Sequence, residues 1–233
     1  MSYWFYTKPS YFLRSTQWIH SLFLFLGILF LTIGLFLGLF SMNSDAQQGE
    51  NARILYLHVP SAWMSLFLYS FMALLSLLYL IWYHPMAFLM AKLTAWIGTL
   101  FTFLTLVTGS LWGFPVWGTF WVWDARLTSV FVLFLFYLGY LVLVSSLPNP
   151  KIPSILAIVG FLNIPIIKFS VEWWNTLHQT SSVSAMQSSI HFSMLFPLLF
   201  VFFGFLCFAM YVYFLLLRRE ILIKKLRLPE IRD

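Results

Sequence analysis

Residues 61–83 read SAWMSLFLYSFMALLSLLYLIWY, twenty-three positions without one charged side chain. Wound as an α-helix at about 1.5 Å per residue, the run is about 35 Å long, enough to cross a hydrocarbon core roughly 30 Å thick. Working outward, further apolar windows lie near 17–40, 93–112, 127–147, 152–168 and 192–217. The window at 152–168 is the weakest; Asn163 and Pro165 interrupt it, and it reads as a tilted or broken helix. Composition agrees, since 61% of the 233 residues are hydrophobic and only 9% are charged. A soluble domain of this size needs far more polar surface. The predicted fold is an all-α integral membrane protein, a single transmembrane domain over 1–233 with about six transmembrane helices. The first window outruns a signal-peptide core and lacks a convincing small-residue cleavage site, so it is read as an uncleaved helix.

Charge sets the expected orientation. Six spans place Lys8, Arg14, Lys92, Lys151, Arg218, Arg219, Lys224, Lys225, Arg227 and Arg232 on one side. Arg53, Arg126 and Lys168 are left on the other. Ten against three is the bias of cytoplasmic loops, so both termini are predicted to be cytoplasmic. Five spans would put the basic C-terminal tail outside. The net charge of +6 follows from this topology and forms no stripe suited to a nucleic-acid backbone.

The outer side then collects 41–60, 112–126 and 169–191, which also hold the unusual polar and aromatic residues. His58 stands in YLHVPSAW just before the second span, with Pro60 placed for a first helical turn. His178 stands in VEWWNTLHQT before the last span. Neutral imidazole is the commonest protein metal ligand and a frequent axial ligand of haem iron. Two histidines from separate segments can grip an iron porphyrin from opposite faces; each taken alone also fits an interfacial residue bonded to backbone or water. His191 is a third candidate at the same depth, while His20 and His84 lie toward the cytoplasmic side. With Cys207 as the single cysteine and no C-x-x-C-H motif, any haem is held without thioether bonds.

Trp112, Trp117, Trp121 and Trp123 share one outer segment, broken by Gly113, Pro115 and Gly118. A short interfacial tryptophan-rich helix over 117–123 would bring Trp117 and Trp121 onto one face. Covering roughly 300 Å² of an apolar disc, at about 25 cal/mol per Å², contributes on the order of 7 kcal/mol before ordering costs. A simple aromatic belt is the competing reading, and it explains less well why Asp124 and Arg126 follow at once. Asp124 is suited to order the tryptophan loop through backbone hydrogen bonds or to pair with Arg126. Arg53 and Arg126 offer bidentate geometry to carboxylates such as haem propionates, or else form wet surface ion pairs.

WGTFWVWDARLTS (117–129) resembles the tryptophan-rich signature of the haem-handling superfamily of cytochrome c biogenesis. LYLHVPSAW (55–63) and IKFSVEWWNTLHQ (167–179) are similar to the flanking segments of its CcmC, or haem exporter protein C, branch. The resemblance runs from about residue 50 to 180 in matching order. It implies an inner-membrane protein, bacterial or mitochondrial, whose tryptophan loop faces the periplasm or its equivalent. It implies haem b, bound non-covalently between His58 and His178, with Trp117, Trp121, Trp123 and Asp124 as a presenting platform. It further implies delivery to the haem chaperone CcmE, with the small protein CcmD and the ABC-type proteins CcmA and CcmB as partners, and no enzymatic activity. A haem or solute transporter subunit and a cytochrome b-like redox subunit are the alternatives.

Overall fold

A computed structural model of the chain describes residues 13–14, 16, 18–41, 49–178 and 191–227, and among these the fold is helical. We label the α-helices α1 Ile19–Phe36, α2 Leu55–Trp82, α3 Pro85–Trp117, α4 Ala125–Ser146, α5 Lys151–Phe161, α6 Asn163–Trp173 and α7 Phe192–Arg227. A π-helical turn, Leu37–Ser41, extends α1, and a 3-10 turn, Glu50–Ile54, leads into α2. Counting α5 and α6 together, six helical stretches are long and apolar enough to cross a membrane, as expected from the sequence.

The interior has two apolar cores that share α2 and α3. On one side Met64, Leu68, Leu93, Ile97 and Phe101 pack with Ala209, Tyr213 and Leu217 of α7. On the other, Tyr69, Met72, Ala91 and Ala95 pack with Leu133, Tyr137 and Tyr140 of α4, Ala157 of α5 and Ile167 of α6. Helix α1 lies outside, against α7. In lipid no hydrophobic effect draws two helices together, so small residues that admit close backbone approach decide such contacts. A Cβ on Gly34 would come to 2.8 Å from the backbone nitrogen of Val201, and one on Gly204 to 2.9 Å from that of Leu31. Gly34→Val should therefore separate α1 from α7 and cost about 1–3 kcal/mol, measured as a lower unfolding midpoint in detergent.

Arg218, Lys92 and Lys151 gather at one end. Arg218 donates to the Leu13 carbonyl at 2.6 Å and to Thr16 Oγ1 at 2.9 Å. Lys92 lies 3.7 Å from Glu220, and the Lys151 ammonium sits 4.9 Å over the Tyr83 ring. These contacts bring the start of the described chain, both hairpin turns and the end of α7 together, leaving residues 50–58, 112–126 and 170–178 at the other end.

Two local expectations change and a third holds. The second span does not begin beyond His58: α2 starts at Leu55, so His58 and Pro60 lie on the helix itself. Burial holds those extra turns, since Tyr56 is 3% exposed and its ring fills the space beside Gly38 of the first span. The tryptophan segment is not an in-plane helix. Helix α3 runs on through Pro115 to Trp117 and ends at Gly118, whose φ of 75° is left-handed and whose N–H returns to the Phe114 carbonyl at 2.9 Å. Residues 118–124 form a non-helical loop instead. The fifth span is broken, as expected, at Leu162: Pro165 brings no N–H to the helix, and Asn163 donates its side-chain amide to the Ser129 carbonyl at 2.8 Å.

Candidate functional site

Helix α3 is the floor of the site. His58, from the start of α2, turns its Cε1 edge to Gly109: a Cβ there would meet Cε1 at 2.9 Å. The ring stands edge-on to Trp112, with centroids 5.7 Å apart and planes at 72°. Its Nδ1 lies 3.0 Å from Thr108 Oγ1. One turn further along α3, the Trp117 ring folds back over Gly113, where a Cβ would meet it at 2.9 Å. The His178 ring sits beside that indole, at 6.5 Å between centroids. Gly109 and Gly113 are four residues apart, about 6 Å along a helix, so the surface that receives His58 adjoins the one that receives the Trp117 ring. His178 and Arg126 are also close enough to act on His58 electrostatically. Among the described residues no group of three or more His, Cys, Asp or Glu that could hold a metal ion converges.

The comparisons with known proteins decide the family. A model of the family described as heme exporter protein C (CcmC) matches residues 2–232. The chain belongs to the CcmC family. It is 46% identical to heme exporter protein C of Bradyrhizobium diazoefficiens over 86% of this chain and 78% of that one. It is 42% identical to heme exporter protein C of Haemophilus influenzae over 97% of this chain and 94% of the relative. A cytochrome c biosynthesis ccmC-like mitochondrial protein of Marchantia polymorpha is 52% identical over 83% of this chain and 84% of its own length.

Within this CcmC-family fold the four tryptophans of the outer segment fall into two groups. Trp112 and Trp117 stay on α3 beside His58 and His178. Trp121 and Trp123 lie beyond the Gly118 turn, edge-on to each other at 5.4 Å and each against Phe131 of α4. The shared face expected for Trp117 and Trp121 does not form, because the left-handed turn ends the helical register between them. Trp123 is 74% exposed, whereas Trp121 is half-buried.

Asp124 caps α4: its Oδ1 accepts the Leu127 N–H at 2.8 Å, an N-cap bond that restarts the helix after the loop. The bond goes to the helix that follows the tryptophan loop, not to the loop itself. Arg126, on the first turn of α4, donates its Nε to Ser170 Oγ of α6 at 2.8 Å, and Asp124 and Glu172 are the carboxylates whose field it feels. Arg53 reaches Glu50 at 2.7 Å along its own 3-10 turn. His191 lies apart from this cluster, its Nδ1 2.7 Å from Ser193 Oγ at the start of α7.

Sequence reasoning missed Thr108, Gly109 and Ser170. The run VTGSLW (107–112) held the signal: a glycine inside a helix, one turn before a tryptophan, marks a close approach by another group.

Proposed function

We propose that this protein collects haem b at the end of the bundle opposite Lys92, Lys151 and Arg218, holds it non-covalently, and presents it to the haem chaperone CcmE during c-type cytochrome biogenesis. What carries the reading is that His58 and His178 come from separate segments and each lies beside a tryptophan of α3, Trp112 for the first and Trp117 for the second. The heme exporter protein C names of relatives 42–46% identical support it independently. Two buried polar atoms at this end, Trp121 Nε1 and Asp124 Oδ2, find no hydrogen-bond partner among the described residues; a partner or ligand edge would satisfy them.

Haem b, as cargo, brings an iron that accepts two axial imidazoles, propionates at one edge and reactive vinyl groups at the other. His58 and His178 ligate the iron and so set depth and tilt. Trp112 and Trp117 cover apolar surface and keep water from the bound disc. Arg126 keeps its terminal nitrogens for a propionate while Ser170 orients its Nε, and Arg53 is the second, more peripheral cation. Trp121, Trp123 and Asp124 form the outer shelf on which the chaperone docks. We assign no catalytic residue; delivery depends on orientation, and the covalent chemistry belongs to cargo and acceptor. In this scheme CcmD, CcmA and CcmB complete the assembly. The membrane is the bacterial inner membrane with the site on the periplasmic side, or the mitochondrial inner membrane, as the name of the Marchantia relative allows.

The deciding experiment is an absorption spectrum of the purified protein after loading with haem, which should show a bis-imidazole, low-spin band. A spectrum identical to free haem in detergent would end the proposal. Arg126→Gln should raise the haem off-rate by about 10-fold, the scale of a lost charge-assisted hydrogen bond. An unchanged off-rate would remove the propionate role while leaving the histidines untouched.

A further inference from the structure

We infer that Thr108 is a positioning residue that selects which nitrogen of His58 faces the cargo. The inference deepens the haem-binding reading and rests on it. A threonine hydroxyl has one proton to give and two lone pairs to offer. Thr108 is 6% exposed, and its hydroxyl donates to the Leu104 carbonyl at 2.7 Å, with the Thr105 carbonyl at 3.3 Å as a longer second acceptor. Its proton is thus directed at the backbone of α3. In the 3.0 Å contact with His58 the hydroxyl is therefore the acceptor and the ring Nδ1–H the donor. A neutral imidazole carries one ring proton, so with Nδ1 protonated the lone pair lies on Nε2.

The ring cannot readily turn away from this bond. Gly109 leaves no side chain between α3 and Cε1, so the Cε1 edge of the imidazole comes close to the helix, and Trp112 bounds the ring edge-on. Successive residues Thr108 and Gly109 thus act as one device, the first choosing the tautomer and the second admitting the ring. Ligating histidines commonly donate their other nitrogen to a carboxylate or carbonyl, which raises their basicity. A hydroxyl is a weaker acceptor than a carboxylate. It orients His58 without making it the strongest ligand, which suits a protein that must give its cargo up.

The test uses the full chain in lipid nanodiscs, first without haem. With ¹⁵N-labelled histidine, His58 identified by its loss in His58→Ala should show a protonated Nδ1 and a bare Nε2. Thr108→Val removes the hydroxyl acceptor and leaves His58 only its bond to the Thr105 backbone; it should shift His58 toward a mixture of tautomers, and Thr108→Ser should restore the original pattern. An Nε2-protonated ring in the unaltered protein, or a pattern unmoved by Thr108→Val, would overturn the inference. Should the valine variant fail to insert, Thr108→Ala removes the same hydroxyl with less bulk. Loaded with haem, Thr108→Val should lose it about tenfold faster, on the scale of removing a ligand's outer partner. A tautomer shift with an unchanged off-rate would refute the link to cargo. Retention of a low-spin spectrum by His58→Ala would instead sink the ligand assignment, an outcome the haem-free measurement does not depend on.

Discussion

A double variant, His58→Ala with His178→Ala, is expected to lose the low-spin haem spectrum altogether and to bind haem at least about 100-fold more weakly. Changes to the outer partners of metal ligands alone cost about 10–100-fold, so removing both ligands must exceed the upper end of that range. Each single variant should keep a weakened, altered spectrum, since one imidazole and the indoles remain. Neither substitution should harm insertion: both histidines lie at helix ends, outside the two buried cores. Haem titration followed by absorption, alongside a check of membrane insertion, measures both quantities. If the double variant keeps a bis-imidazole band, the iron has other ligands, and His191 becomes the first residue to examine.

The second large effect concerns the tryptophans, and the structure divides it in two. Trp117→Ala strips the surface beside His178 and should act on haem retention. Trp121→Ala with Trp123→Ala should leave retention near normal and slow delivery to the chaperone instead. Trp123 in particular presents most of its indole outward, and buried tryptophan anchors at protein interfaces are worth about 2 kcal/mol or more each, roughly 30-fold in affinity. Transfer from loaded protein to purified acceptor, measured beside the haem off-rate, separates the two. Equal loss of insertion and transfer would reduce the whole segment to a membrane anchor, and identical effects of both variants would deny the division.

That division was not legible in the sequence, although the cluster was. A helix over 117–123 was a fair reading of tryptophans four residues apart, but a single left-handed glycine at 118 breaks the register. The Asp124 cap could have been read, because an aspartate directly before an apolar helical run is a common N-cap and its bond to Leu127 is local, but from sequence Asp124 reads as a partner of the tryptophan loop or of Arg126. Arg126 was legible as a charge near the boundary, but its anchor Ser170 was not. The two are forty-four residues apart, and nothing in either neighbourhood names the other.

Hydropathy and charge add along a chain, residue by residue, so the sequence by itself determined the number of spans, the break near Asn163 and the bias of basic residues away from the histidine and tryptophan segments. Those properties respond to local composition and to the thickness of the bilayer, and hardly at all to how helices face one another. Only the tertiary structure decided that His58 meets Thr108 and Gly109, that His178 meets Trp117, and that Arg126 meets Ser170. Such contacts depend on the rotation and depth of each helix, which are set by packing at small residues and by the satisfaction of buried hydrogen bonds between distant segments.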